Sequence, residues 1–137
     1  MADASCAMPG VTPHITIRDN RAAEAIDFYA RAFGATESGR HMAEDGKRIM
    51  HAHLNINGGA LMLNDDFPEM MGGNVTAAPS AVTLHIEVAN ADPAWEKALA
   101  AGAQVRFPLE NQFWGQRYGQ VTDPFGFHWS IGGPLKP

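Results

Sequence analysis

Val11-Thr12-Pro13-His14-Ile15-Thr16-Ile17 returns 71 residues later as Val82-Thr83-Leu84-His85-Ile86-Glu87-Val88, in the same order and with the same chemistry. The segment after each copy repeats as well. The first leads through Asp19-Asn20 into Ala22 to Phe33 and stops at Gly34-Ala35; the second leads through Ala91-Asp92 into Pro93 to Ala101 and stops at Gly102-Ala103. Both middles predict helices. Asn20 and Asp92 are side-chain acceptors placed to cap the first free N–H groups, Pro93 suits a first helical position, and each closing glycine suits the left-handed residue that ends a helix. Ile26, Tyr29 and Phe33 on the first helix, and Trp95, Ala98 and Leu99 on the second, fall at three-to-four spacing and read as core stripes.

After each helix the pattern turns to strands. The first copy offers Thr36 to His41, a turn at Glu44-Asp45-Gly46-Lys47, Ile49 to Ile56, a second turn at Asn57-Gly58-Gly59, and Ala60 to Asn64. The second offers Gln104 to Leu109, Arg117 to Thr122, a turn at Asp123-Pro124-Phe125-Gly126, and Phe127 to Ile131. The expected organisation is a disordered leader over 1–10, a first βαβββ module over 11–66, a linker over 67–80 and a second βαβββ module over 81–134, all in one structural domain. The linker is rich in Met, Gly, Ala and Pro; its neighbours Met70 and Met71 read as loop packing or as a pocket lining.

Composition narrows the partners. The chain has 137 residues, 45% of them hydrophobic and 18% charged, with 10 Lys and Arg against 15 Asp and Glu for a formal net charge of −5. A scattered minority of basic residues argues against nucleic acid and anionic membrane as partners. No apolar run reaches the roughly 18 residues a membrane span needs, and Met1 to Gly10 does not resemble a signal peptide, so the expected address is cytoplasmic. The single cysteine, Cys6, cannot form an intrachain disulfide and reads as an inert leader thiol.

A strand-helix-three-strand unit leaves one sheet face bare, so two units are expected to set their sheets together around a cavity, an α+β architecture with a curved mixed sheet. Alternation along the strands turns Ile15 and Ile17 one way and Thr12, His14 and Thr16 the other; Leu84, Ile86 and Val88 likewise oppose Thr83, His85 and Glu87. With the apolar sets under the helices, His14 and His85 are expected to enter the cavity and approach one another. His51 and His53 share a face that parity with Asn55 assigns to the cavity, and His128 has the parity of Ser130.

Asp27-Phe28-Tyr29-Ala30-Arg31-Ala32-Phe33-Gly34-Ala35, Gln112-Phe113-Trp114-Gly115-Gln116-Arg117-Tyr118-Gly119 and Asp123-Pro124-Phe125-Gly126-Phe127-His128-Trp129-Ser130 carry a resemblance. With the two-module pattern from Val11 to Gly132, they resemble the vicinal oxygen chelate superfamily of glyoxalases, bleomycin-resistance proteins and extradiol dioxygenases, and within it the PhnB-like branch. The resemblance implies a divalent metal held by side chains from equivalent strands of the two modules, commonly two histidines and a carboxylate. His14 and His85 stand where metal-binding histidines stand in relatives. The carboxylate positions hold Ser130 in the last strand and Met62 in the fourth strand of the first module, so the usual site is incomplete. Two readings stay open: three histidines complete it, for example His14, His85 and one of His51 or His53, or His14 and His85 are neutral groups that hydrogen-bond ligand or water.

Trp114, Arg117 and Tyr118 combine a flat apolar wall, a forked donor and a phenolic hydroxyl suited to an oxygen-bearing or aromatic small molecule, although Arg117 can instead pair with Glu110 or Asp123. Glu87 reads as a base, a cation partner or a solvated acid. No Ser-His-Asp order, phosphate-cradling glycine loop or cysteine nucleophile pattern stands out. The expectation is a small-molecule-binding protein of glyoxalase and bleomycin-resistance type without ordinary glyoxalase I activity. The alternative is a metal-dependent lyase, isomerase or dioxygenase on a small oxygenated metabolite. A homodimer is expected in either case.

Overall fold

The computed structural model describes residues 10–137, so Cys6 and all but the end of the leader read at 1–10 lie outside the described residues. One four-stranded sheet is built from β1 (His14–Ile17), β2 (Thr36–Met42), β3 (Ile49–Ile56) and β4 (Gly59–Asp65), in the order β1-β4-β3-β2. The other is built from β5 (Thr83–Glu87), β6 (Gln104–Asn111), β7 (Arg117–Thr122) and β8 (His128–Gly133), in the order β5-β8-β7-β6. In each, the first strand pairs parallel with the last and the other pairings are antiparallel. A helix follows each first strand, α1 (Ala22–Phe33) and α2 (Ala91–Ala101). The chain is thus α+β, a strand-helix-three-strand unit used twice. Within the linker, Pro68–Met70 forms one turn of 3-10 helix, and Met70 and Met71 are both exposed.

The chain divides into two compact units whose borders are not those of the sequence modules. One takes the described residues up to Asp27 with Ala35–Thr76; the other takes Phe28–Gly34 with Ala77–Pro137. The second half of α1 therefore packs within the second unit. Tyr29 lies 5.3 Å from Trp129, Phe33 4.5 Å from Trp129 and Phe28 5.9 Å from Phe125, measured between ring centroids. The stripe expected of α1 is real, and the aromatic partners of its second half come from the far end of the chain.

Helix ends follow the expected chemistry at one terminus only. Gly34 and Gly102 close the helices with positive φ, as the sequence predicts. The N-termini differ. Asn20 does not cap α1; the N–H of Ala22 is taken at 2.9 Å by Oδ1 of buried Asp65, whose Oδ2 accepts from the N–H of Ile49 at 2.7 Å. Nor is Asp92 the cap of α2, where Asn90 holds that position without a side-chain bond and Asp92 lies within the first turn. A carboxylate there suits the positive end of the helix dipole, and its oxygens are left for another partner.

Candidate functional site

Ladder register decides which side chains share a surface, because paired residues and alternate residues along a strand point the same way. In the first sheet His14 pairs with Met62, Met62 with His53, Thr16 with Asn64, and His41 with His51. His14, His41, His51, His53 and Asn64 therefore lie on one face, opposite Ala52, Leu54 and Leu63, which are buried. The rings of His14 and His51 meet edge to face at 5.8 Å, and those of His41 and His51 lie 6.5 Å apart. His14 donates from Nε2 to Asn64 Oδ1 at 2.7 Å, and the Asn64 amide donates to the Asp65 carbonyl at 2.6 Å. Burial holds the His51 imidazole below its ordinary pKa, and His14, His41 and His53 add repulsion toward a proton there. Buried Nε2 of His53 has no hydrogen-bond partner among the described residues. Sequence reasoning missed His41. Only the β2–β3 register places it beside His51, and irregularities between Glu37 and Gly39 and between His41 and Met42 hide that register from simple alternation.

In the second sheet His85 pairs with Ser130, Ser130 with Gln120, and Gln120 with Phe107; Glu87 pairs with Gly132, Gly132 with Tyr118, and Tyr118 with Glu110. These side chains share one face. Glu87 Oε1 accepts from His85 Nε2 at 2.8 Å and from Gln116 Nε2 at 2.8 Å, and Trp114 Nε1 donates to Gln116 Oε1 at 2.9 Å. His85 Nδ1 lies 2.6 Å from Ser130 Oγ. An ionised carboxylate only accepts, so Nε2 carries the ring proton and, in the neutral ring, Nδ1 accepts from the serine hydroxyl. The Tyr118 ring stacks on His85 at 5.9 Å and 18°, and continues into Trp114 at 5.5 Å and Phe107 at 6.2 Å. Gly132 keeps this cluster in place, since a Cβ there would stand 2.8 Å from His85 Cε1 and 2.9 Å from Glu87 Oε1. A serine, histidine and acid thus assemble where no such order stands out in the sequence. Glu87 and His85 alternate on β5, while Ser130 arrives through β8 pairing. Gln116 was also missed.

Arg117 is not brought together with Tyr118. Successive residues of β7 point to opposite faces, and Arg117 donates from Nε and Nη2 to the two Asp92 oxygens, each at 2.9 Å. Asp92, not Glu110 or Asp123, is its ion-pair partner. This pairing holds the Asp92 carboxyl below its ordinary pKa and raises the Arg117 guanidinium. His128 shares the Ser130 face, with Nδ1 3.1 Å from Thr122 Oγ1.

The donor set does not fit the divalent metal implied by resemblance. Positions 14, 62, 85 and 130 supply two imidazoles, a thioether and a hydroxyl, with no anionic oxygen for a hard or borderline cation. Asn64 and Glu87 take the Nε2 protons, so only Nδ1 of each ring has a lone pair to offer, and at His85 that lone pair already accepts from Ser130 Oγ. Among the described residues no three His, Cys, Asp or Glu side chains are grouped so that they could hold a metal ion.

Comparison with known proteins gives relatives along most of the chain. It is 49% identical over 132 residues to the uncharacterized protein Mb0911c of Mycobacterium bovis, covering 93% of this chain and 85% of that one. The crystal structure of TioX from Micromonospora sp. ML1 is 26% identical with a TM-score of 0.67, covering 92% of this chain and all of that one. PA1353 from Pseudomonas aeruginosa, at 24% identity, shares the fold with a TM-score of 0.72 over 92% of this chain and 98% of its own. A family model matches residues 12–131, nearly the whole repeat, and the chain belongs to the glyoxalase/bleomycin resistance protein/dioxygenase superfamily.

Proposed function

We propose that the protein binds a small planar or cationic aromatic compound and lacks ordinary glyoxalase I activity. The observation that carries this reading is the pairing of His14 with Met62 and of His85 with Ser130, which leaves both carboxylate positions without a carboxylate. Metal chemistry loses its anionic ligand, while a binding surface keeps what it needs. Tyr118, Trp114 and Phe107 offer aromatic faces, and Glu87 and Glu110 flank Tyr118 across the ladder with negative charge. Aromatic faces beside carboxylates attract a flat cation by stacking and by charge together.

Ethidium serves as the probe. It is expected to quench Trp114 fluorescence saturably, with affinity falling about tenfold in Glu87→Gln, the loss of roughly 1.4 kcal/mol of charge attraction. Unsaturable quenching, or equal quenching in Trp114→Phe, overturns the reading. Protein dialysed after exposure to zinc, nickel or manganese is expected to retain less than one ion per chain and to leave the methylglyoxal-glutathione hemithioacetal unconverted. Stoichiometric metal lost in His14→Ala and His85→Ala would restore the metal-dependent enzyme. The same reading places the protein in the cytoplasm as a homodimer. Among the described residues no helix is long and apolar enough to cross a membrane. The terminal strand β2 is exposed along its length and suits pairing with a second copy, which light scattering checks.

A further inference from the structure

The geometry points to a metal-free catalytic array on the second sheet, with Ser130 as nucleophile, His85 as base and Glu87 as its positioning carboxylate, acting on short-chain esters of aromatic alcohols. It rests on the binding reading above for the aromatic half of the substrate. Three conditions for an activated serine are met. The nucleophile reaches its base, with Ser130 Oγ 2.6 Å from His85 Nδ1. The base reaches its orienting group, with His85 Nε2 2.8 Å from Glu87 Oε1. The carboxylate fixes the tautomer, because the proton it requires on Nε2 leaves the Nδ1 lone pair facing the serine hydroxyl. The ring is reversed relative to the familiar serine-histidine-acid array, but proton transfer requires only that the two nitrogens face opposite partners.

The surroundings support the array. Glu87 is held by Gln116, Gln116 by Trp114, and bare Gly132 leaves room for the side chains of His85, Glu87 and Gln116. Gln120, beside Ser130 on the ladder, donates from Nε2 to the Tyr118 oxygen at 2.9 Å. The phenol thus accepts one bond and keeps its own proton to offer an oxyanion forming beside Ser130. Ser130 is only 2% exposed, which limits the acyl group to something small, whereas Tyr118 and half-exposed Trp114 can stack an aromatic leaving group.

The step balances. As Ser130 Oγ bonds to the acyl carbon, its proton passes to His85 Nδ1 and the bond from that carbon to the aryl oxygen breaks. The aryloxide leaves, taking that proton when basic enough; a weakly basic one leaves as the anion and the imidazolium releases its Nδ1 proton to solvent. The neutral imidazole then takes a proton from water as its oxygen bonds to the acyl carbon, and returns it to Ser130 Oγ as the acyl-serine bond breaks, giving free acid and regenerated enzyme.

The test uses the full chain and p-nitrophenyl acetate. Acid quenching followed by peptide mapping is expected to find acetyl on Ser130, with p-nitrophenol released catalytically. Ser130→Ala removes the adduct, and His85→Gln slows release about a hundredfold. Glu87→Gln lowers the maximal rate about tenfold or more while leaving the half-saturating concentration unchanged, a split that mere loosening of the fold would not give. Acetyl absent from Ser130, or release as fast in Ser130→Ala as in the parent chain, overturns the proposal. Should Ser130→Ala fail to fold, a fluorophosphonate on the parent chain decides: phosphonylation at Ser130 supports the array and its absence there overturns it. Saturable ethidium binding with unlabelled Ser130 would leave the binding reading standing and sink this one; labelled Ser130 without such binding would do the reverse.

Discussion

Asp123 terminates four donors at once. Its carboxylate accepts from the Tyr29 hydroxyl at 2.6 Å and from Trp129 Nε1 and the N–H groups of Phe125 and Phe127, each at 2.9 Å. It is buried, so removing it strands donors that water cannot easily reach, and Asp123→Ala is expected to cost about 3 to 5 kcal/mol in urea unfolding. Its partner Tyr29 adds a pH dependence. Burial first, then the Asp123 charge, holds the Tyr29 phenol well above its ordinary value of 10.0. The unfolded chain therefore loses that proton near pH 10 while the native state keeps it, so stability present below pH 10 declines as the solution becomes more alkaline. Tyr29→Phe should flatten this decline, and urea midpoints at about pH 9 and about pH 11 for the two proteins measure it. An identical fall in both would place the titrating group elsewhere. The Asp-Pro-Phe-Gly turn is legible in sequence; the hub is not, since Tyr29 lies 94 residues away.

Elements were easier to find than their fastenings. Period-two alternation, the Asp-Gly and Asn-Gly turns and the closing glycines locate the eight strands and two α-helices of the described residues to within two or three residues, because these signals are local. Parity likewise assigns His14, His51, His53, His85, Glu87 and Ser130 to the polar faces of their own sheets. What it leaves invisible comes from distant segments. Asp65 illustrates this, since one carboxylate at the end of β4 holds the first N–H of α1 and the first N–H of β3. Local rules put the cap on Asn20, and nothing in a local rule points 43 residues downstream. Asp65→Ala is expected to cost about 2 to 4 kcal/mol and to speed amide exchange at Ala22 and Ile49 more than in the second sheet. Uniformly raised exchange would mean that the carboxylate supports the whole fold rather than these two element ends.

At the scale of the whole molecule, duplication and cooperation pull in opposite directions. Two sheets with one strand order suggest that the chain could be cut at its linker into two self-sufficient pieces. The compact units contradict this, because the second is discontinuous and includes Phe28–Gly34. A fragment running from Ala77 to Pro137 lacks the ring partners Phe28, Tyr29 and Phe33, leaving Trp129 and Phe125 uncovered and Asp123 without the tyrosine hydroxyl. Burying the Phe28 and Tyr29 side chains alone contributes roughly 3 to 6 kcal/mol, a large part of the roughly 5 to 15 kcal/mol that separates a folded domain from its unfolded chain. The fragment alone is therefore expected to show no cooperative thermal transition by circular dichroism. Adding a fragment of residues 1–76, which carries α1, should restore both the transition and near-ultraviolet signals from Trp129. The Phe28→Ala, Tyr29→Ala, Phe33→Ala form of the added fragment should fail to do so. A cooperative transition in the isolated second fragment would show that this unit folds without its share of α1, and that α1 is a cover rather than part of its core.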